Sequence, residues 1–549
     1  MSVEKLPGND AAVLAVGVIV DAGRQSPYVV DLLEYLVASE AFAAPIVFPV
    51  TAGAQPDQVL ALSSLTRWVR RIEFGQMLGK QPAVTRRIAI DDIDGLDIVP
   101  LAGEWSADGA TLDVFGENLE AIIERRLDIL VHLASGRPGA GLASAADLAT
   151  LAIYHGSDCA GADVSLGFME VLEDAPASCF VIARANPFRV LQAGNIMTAK
   201  SWALNQAMLM GKSITFMRHV LERIANDRAL LEVDTDAEDA LPATLPSTGS
   251  LALARYMANV LMPVVLRKFR TRLFGRRDRE WVVAVSDHRR PGGSLDDYRE
   301  IPNPDGRFLA DPFLCSRDGR HIVFVEDYCY RDNRGRISAV ELGEEGAKVL
   351  GVIIDEPWHL SFPFVFEYKG RLYMIPEANE SGAIRLYVCD EFPLHWRFEK
   401  TLMADVAAAD TMVFERDGTW FLLTNICSAG LGDFNSELHI FHADDPLTTD
   451  WHPIGAGNPV ILDSSRARNG GWFIDDGQLF RINQIHAKNH YGRAFGFNRV
   501  DELSRKRYRE TRIGEVWPCD SRGFDSTHHF NADGARAVID FCRLDRARK

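Results

Sequence analysis

Five short words in the C-terminal half constrain this chain more than any other feature. "SRDGRHIVFVED", "EYKGRLYMIPEA", "ERDGTWFLLTNI", "IDDGQLFRINQI" and "NADGARAVIDFC" align on Gly319, Gly370, Gly418, Gly477 and Gly534, at spacings of 51, 48, 59 and 57 residues. Each places one apolar run before a turn glycine and another after it, which is a hairpin. Hairpin units at this period match propeller blades, each a four-stranded sheet arranged around a central axis. The repeat therefore predicts a five-bladed β-propeller over 281–549.

The remainder has a different texture. At 549 residues the chain is too long for a single core. Residues 1–233 alternate short apolar runs with helical patterns. "VLAVGVIV" (13–20), "APIVFPV" (44–50), "LDILVHLAS" (127–135) and "LAIYH" (151–155) read as strands, and 201–232 as closing helices. Strands alternating with helices predict an α/β domain with a mostly parallel sheet. "DTDAEDALPATLPSTGS" (234–250) reads as a linker, and a basic stretch follows with Arg267, Lys268, Arg270, Arg272, Arg276, Arg277 and Arg279. The domain reading is thus 1–233, a linker and basic helix over 234–280, and 281–549.

A net charge of −17 excludes a general nucleic-acid binder, which needs a basic face. The eight cysteines form no CxxC pair and no zinc spacing, and suit a reducing compartment. "VLAVGVIV" reads as a strand rather than a leader, and no run reaches 18 apolar residues. The expectation is a cytoplasmic protein. The basic stretch 267–279 has two readings. One is a solvated connector; the other is a peripheral contact with an anionic inner-membrane surface, with "MANVLMPVVL" as its apolar part.

In the N-terminal domain, "LAIYHGSD" (151–158) runs from a buried-looking strand into His155, Ser157 and Asp158. With "LDILVHLAS", "GFMEVLEDAPASCFVIARA" and "LQAGNIM", it resembles the formyltransferase fold over roughly residues 10–225. The resemblance implies an Asn-x-His strand end and an Asp-x-Gly loop as the acid–base machinery. Here His155 matches the His, but Ile153 stands at the Asn position and Gln192 at the Asp position. Isoleucine donates no hydrogen bond and glutamine takes up no proton at neutral pH. A degenerate formyltransferase-like domain without formyl chemistry, and with no folate cofactor, is expected.

In the C-terminal repeat, two registers are polar against an apolar background. Eight residues before the turn glycine stand Asp311, Phe362, Asp410, Asn469 and Ser526; seven after it stand Glu326, Glu377, Asn425, Gln484 and Phe541. Equivalent blade positions converge, so acidic side chains far apart in the chain should gather and shift one another's pKa values. Flanking words add His359, Arg468, Arg481, His528 and His529, and Trp358, Phe362 and Trp472 as rings suited to sugar faces. The words resemble the five-bladed propellers of arabinanases, β-xylosidases and fructosidases. "ADPF", "FVE", "EPWHLSFPFVF", "MIPEAN", "DTMVF", "NPVILD" and "RINQ" more closely resemble the N-terminal region of glucosamine inositolphosphorylceramide transferases. In that family the recognised glycosyltransferase domain lies outside this region, and it has no visible counterpart here.

The residues then take these expected roles. Asp311 is the base or charge stabiliser and Glu377 the acid, with Asp410 and Glu326 as modulators. His359, Arg468, Arg481, Gln484 and His528 are the substrate-binding candidates, Arg by a bidentate fork. The structural alternative is that these carboxylates cap strands or pair with arginines. No ligand spacing demands a metal, although acidic groups at a channel mouth could hold calcium. The expected partner is a sugar or glycan, nucleotide- or lipid-linked. The expected activity is sugar transfer in envelope glycan or glycolipid assembly, with glycoside hydrolysis or non-catalytic glycan binding as alternatives.

Overall fold

The computed structural model describes residues 3–5, 13–53, 64–79, 86–107, 109–155, 158–159, 166–227, 229–231, 250–263, 266, 279–287, 290–291, 297–344, 346–455, 457–487, 490–518, 523–533 and 535–544. The chain divides into two units: Met1–Leu266 with Ser428–Gly432, and Arg267–Cys427 with Asp433–Lys549. The expected linker falls almost wholly in 232–249, outside the described residues, as does 267–278 of the basic stretch.

The first unit is built on an 11-stranded sheet. Its centre runs Leu101–Trp105, Ile46–Ala52, Val16–Asp21, Ile129–His132 and Ala149–His155, all parallel, then Ala177–Arg184 and Arg189–Met197, antiparallel. Ile129–His132 and Ala149–His155 are buried throughout, which is why they read as unbroken apolar runs. The helix Pro27–Ala38 begins with Pro27 at its first turn, and the Ser26 hydroxyl accepts from the Val29 N–H. One 26-residue helix, Trp202–Asp227, packs on the antiparallel strands where several closing helices were expected. The apolar stretch after the linker is helical from Ser250 to Tyr256 and continues as a π-turn over Met257–Leu261. Its inner face, Leu253, Tyr256 and Val260, packs on Phe168 and Trp202.

The second unit is the propeller. Its first three blades are antiparallel sheets whose strands follow chain order. They are Arg307–Arg317 to Gly346–Ile354, Ser361–Tyr368 to His395–Ala404, and Ala408–Arg416 to His452–Pro453. The fourth blade runs from Asn469–Asp475 to Tyr508–Val516. The fifth is made from both ends of the unit: Phe530–Ala532 and Ala537–Leu544 supply the inner strands, Arg279–Ser286 and Arg299–Glu300 the outer ones. Each inner strand neighbours the next, and that of blade five contacts that of blade one, closing the ring. Arg279 and Glu280 therefore belong to a strand, paired with Leu544 and Arg543, rather than to the expected linker and basic helix.

The repeat that announced the blades is a run of two-residue hairpins. Asp318–Gly319, Lys369–Gly370, Asp417–Gly418 and Asp476–Gly477 all have positive φ at both residues, the type I′ geometry that matches strand twist. Gly534 lies outside the described residues, and the fifth hairpin has a four-residue connection between Ala532 and Ala537. A second repeated device sits at the other end of the inner strands. Asp311, Phe362 and Asp410 have φ of 48°, 44° and 49°, each within a β-bulge. A left-handed residue with a side chain costs of order 1–2 kcal/mol, and bulges re-aim side chains. This kink turns Asp311 and Asp410 out of the sheet pattern and toward their neighbours.

Candidate active site

The four register carboxylates, Asp311, Glu326, Glu377 and Asp410, do not stand alone; side chains from all five blades meet. Asp311, from blade one, faces His528 Nε2 of blade five at 3.2 Å, and its Oδ2 accepts from the blade-two Phe362 N–H at 3.3 Å. The opposite nitrogen of His528 lies 2.9 Å from Asp540 Oδ2. Asp540 also accepts from the backbone N–H groups of His528 and His529, at 3.1 and 3.0 Å. Burial alone would make His528 neutral. The Asp540 charge and the hydrogen bonds to Asp311 and Asp540 outweigh it and raise its pKa to about 10. In return, although burial acts to raise the Asp311 pKa, His528 holds that carboxyl well below its usual range. Asp311 is a carboxylate beside an imidazolium.

Blades two, three and four form the other half. Arg468 Nε donates to Asp410 Oδ2 at 2.7 Å, and its Nη2 lies 3.5 Å from Glu377 Oε2. Gln484 Nε2 donates to the same Asp410 oxygen at 2.9 Å, and Asn435 Oδ1 accepts from Arg468 Nη1 at 3.2 Å. Burial and the neighbouring Asp410 charge push the Glu377 pKa well up, against the pull of Arg468. Glu377 Oε1 accepts from Asn379, whereas Oε2 is buried with no hydrogen-bond partner. A protonated Glu377 faces Asp410, and a hydrogen bond to that carboxylate favours the neutral acid.

Glu326 is the third acid of interest. Burial, then the Asp311 charge, raise its pKa well above the usual range. His359 Nδ1 accepts from the Gly335 N–H at 2.9 Å, so its neutral ring carries the proton on Nε2, 3.4 Å from Glu326 Oε1. Beside the cluster stands Tyr491, 43% exposed, stacked on His486 and with the Arg468 guanidinium 5.5 Å from its ring.

The arrangement separates two charge states. Asp311 is ionised and paired, Glu377 and Glu326 are driven toward the neutral acid, and Arg468 holds Asp410. Carboxyl groups pushed apart in pKa are the requirement for one to donate a proton while another stabilises charge. Asp311, His528 and Asp540 also lie close enough together to share a metal ion. A cationic His528 cannot ligate one, so the ion-paired state and a metal-bound state exclude each other.

Four expectations are corrected. Arg481 is no substrate ligand. It is 1% exposed and bidentate to Glu510 at 2.8 Å, and it also donates to the carbonyls of Arg466 and Ala467 and to Asn469 Oδ1. Phe362 packs edge-on against Phe313 and His529 in the core, and Trp472 against Phe414, so neither ring offers a face to a sugar. Phe541 packs beside Tyr298 and Phe524 in the interior, while its neighbour Asp540 points to the site. Ser526 bonds His490 and Asp525 instead of the cluster. Asp540, Asn435, His486 and Tyr491 were missed. Only Asp540 carried a signal, a lone acid inside the apolar strand "AVIDFC".

In the first unit, Ile153 is core and His155 is buried at the strand end. Its Nε2 lies 3.2 Å from Ser213 Oγ of the long helix, and burial lowers its pKa to about 3. Gln192 donates to the neighbouring Ala193 carbonyl. These residues assemble no acid–base pair. Ser157 lies outside the described residues.

The fold and the site thus define a five-bladed propeller with a buried, charge-separated carboxyl cluster. Residues 299–532 match the family described as "Glucosamine inositolphosphorylceramide transferase 1, N-terminal". The glucosamine inositolphosphorylceramide transferase 1 of Arabidopsis thaliana is 35% identical over 234 residues, 41% of this chain and 30% of that protein. The Oryza sativa subsp. japonica protein of the same name is 35% identical over 211 residues, 38% of this chain and 28% of that protein. The chain spans under a third of the length of these curated relatives. The family match lies wholly within the propeller, and gives the formyltransferase resemblance of residues 10–225 no support. Among solved structures, the catalytic domain of the Coprinopsis cinerea GH62 α-L-arabinofuranosidase covers 48% of this chain and 97% of its own, with TM-score 0.33 and 10% identity. A thermostable family-43 glycoside hydrolase covers 45% and 92%, with TM-score 0.34 and 15% identity. The propeller assignment rests on the strand order, not on these likenesses.

Proposed function

We propose that the propeller transfers a sugar from an activated, nucleotide- or lipid-linked donor to a glycolipid acceptor, at the cluster where its blades converge. One observation carries this reading. Glu377, held toward its neutral form by burial and the Asp410 charge, sits in one cluster with an Asp311 kept ionised by His528. Glu377 then protonates the leaving oxygen, while the Asp311 carboxylate stabilises positive charge developing on the sugar or orients the acceptor hydroxyl. Arg468 and Gln484 fix Asp410 beside Glu377, and the Asp410 charge favours the Glu377 proton. Similarity over 299–532 to transferases named for glucosamine and inositolphosphorylceramide supports a sugar donor and a lipid acceptor. The first unit contributes no formyl transfer on this reading, and the protein works in the cytoplasm.

The test incubates the full chain with a panel of nucleotide sugars and a glycosyl-inositol lipid acceptor, and in parallel with aryl glycosides. Wild-type protein should form glycolipid product, and Asp311→Asn and Glu377→Gln should each lose about 100-fold or more of turnover. Both variants should still bind sugar by ligand-observed NMR. Release of aryl alcohol without transfer would favour hydrolysis by the same carboxyls. Binding without turnover in wild type, unchanged in both variants, would overturn the proposal in favour of a glycan-binding module.

A further inference from the structure

Two histidines beside the cluster are each fixed in one tautomer by a glycine N–H. Gly335 donates to His359 Nδ1 and Gly492 donates to His486 Nδ1, both at 2.9 Å. A ring nitrogen that accepts carries no proton, so each ring is neutral and bears its N–H on Nε2. Both glycines sit where a side chain has no room. A Cβ on Gly335 would stand 2.7 Å from the His359 ring, and one on Gly492 would stand 2.9 Å from His528 Cβ and from the Trp281 ring. Gly492 also holds a φ of 62°, so the donor that sets the His486 tautomer is placed by the backbone.

The two rings differ in what Nε2 meets. That of His359 faces Glu326 Oε1 at 3.4 Å. That of His486 is buried, in a residue 6% exposed, and has no hydrogen-bond partner among the described residues. Burial, then the charges of Arg468 and His528, hold the His486 pKa well below its usual range, in keeping with the neutral ring. Two residues earlier on the same strand, and so on the same face of it, stands Gln484. Its Nε2 donates to Asp410 Oδ2 and to the Asn469 carbonyl, two acceptors, which fixes the orientation of the amide. Oε1 is then left over, in a residue 1% exposed, and it too has no partner among the described residues. Buried polar atoms are nearly always hydrogen-bonded, so a donor and an acceptor left open on one face of one strand call for a ligand.

The chemistry of the pair selects the group that fits. An anion would suit the His486 N–H and be repelled by the Gln484 oxygen. An ammonium would suit that oxygen and be repelled by the N–H. A hydroxyl both accepts and donates, and satisfies either atom. Tyr491 stacks on the His486 ring at 4.8 Å and sets an aromatic surface next to the N–H.

We propose that His486 Nε2 and Gln484 Oε1 read hydroxyl groups of the sugar, the first donating and the second accepting, and so set which sugar the propeller takes. The inference rests on the sugar-transfer reading and deepens it: Glu377 and Asp311 serve the reaction, and this pair serves the choice of sugar.

The experiment measures binding of methyl glucoside, methyl galactoside, methyl mannoside and methyl xyloside to the full chain by ligand-observed NMR, followed by the monodeoxy analogues of whichever binds. His486→Phe keeps a ring on Tyr491 and removes the N–H, and should weaken binding about tenfold or more. One monodeoxy analogue should bind wild type about as weakly, and should bind wild type and His486→Phe alike, because that contact is already gone. His486→Gln returns an N–H donor at similar reach and should recover part of the loss. In wild type, long-range proton–nitrogen NMR at about pH 7 should find the His486 proton on Nε2, and its resonance should move when the glycoside is added. Equal binding by wild type and His486→Phe, or monodeoxy analogues that all bind like the parent, would overturn this inference and leave the sugar-transfer reading standing. A cationic ring, or a proton on Nδ1, would do the same. No binding of any glycoside by wild type would overturn both. Should His486→Phe melt below wild type, the wild-type deoxy series and the Nε2 resonance decide the matter alone.

Discussion

Replacing Arg481 by Met tests whether the deepest cation of the propeller is a girder or a ligand. Arg481 spends every donor inside the protein: two on Glu510 at 2.8 Å each, one on the Arg466 carbonyl at 2.7 Å, and two on Ala467 and Asn469 at 3.2 Å. Methionine fills similar volume but leaves Glu510, 2% exposed in its side chain, with the Tyr508 hydroxyl and a 3.5 Å contact from Arg466. Breaking one side of a buried pair costs about 3–5 kcal/mol, most of it the uncompensated charge. That is a factor of about 100 to 4,000 in the unfolding equilibrium of this region. Pairing Arg481→Met with Glu510→Met should recover more than half of the loss, since no buried charge then remains. The pH dependence supplies a second check. Burial works to raise the Glu510 pKa, but the Arg481 charge and hydrogen bonds hold it below its usual value. A depressed folded pKa gives stability that is present above the unfolded value of 4.5 and is lost as pH falls through the folded one. The deficit of Arg481→Met should therefore be largest near pH 7 and shrink in acid. Guanidinium unfolding followed by tryptophan fluorescence at several pH values reads all of this. A deficit under about 1 kcal/mol at pH 7, or a loss of sugar affinity at unchanged stability, would refute the reasoning and return Arg481 to the substrate.

Two other perturbations follow from the same geometry. His528, raised to about 10 by Asp540 and Asp311, contributes stability that is fully present below about pH 6.5, declines as pH rises, and is gone once pH passes the folded value. Asp540→Asn should flatten that decline, and long-range proton–nitrogen NMR at pH 8 should find the ring cationic in wild type and neutral in the variant. A ring already neutral in wild type would break the ion-paired account of Asp311. In the first unit, His155→Leu removes a neutral ring with a single partner, Ser213, and should cost no more than about 1 kcal/mol in thermal unfolding and leave propeller activity unchanged.

The sequence made the blades legible because the hairpins carry their geometry in one residue type. Gly319, Gly370, Gly418 and Gly477 sit at φ between 72° and 77°, a conformation that other residues resist. Counting from those glycines found Asp311, Asp410, Glu326, Glu377 and Gln484, since four blades share the two-residue turn and strand alternation keeps the count in step. It failed in blade five, where the connection is longer and the inner strand is only Phe530–Ala532. A slip of one residue moves a side chain to the other face of a sheet, and so the register named Phe541 where Asp540 does the work. Composition could not separate Arg468 from Arg481. Both are arginines of the same short word, and only the fold puts Glu510 against one and Asp410 against the other. The closing of blade five by Arg279–Ser286 was equally hidden, because strand partners 260 residues apart leave no local mark.

That closure has a consequence for how the protein comes into being. Asp540, which anchors His528 and through it Asp311, lies on a strand zipped between the start and the finish of the propeller sequence. A chain cut before Ala537 keeps Asp311, Glu326, Glu377 and Asp410 but loses the carboxylate that holds His528 cationic. The charge pattern of the site is thus tied to one late-placed strand, so a propeller lacking Ala537–Leu544 should be silent rather than indiscriminate.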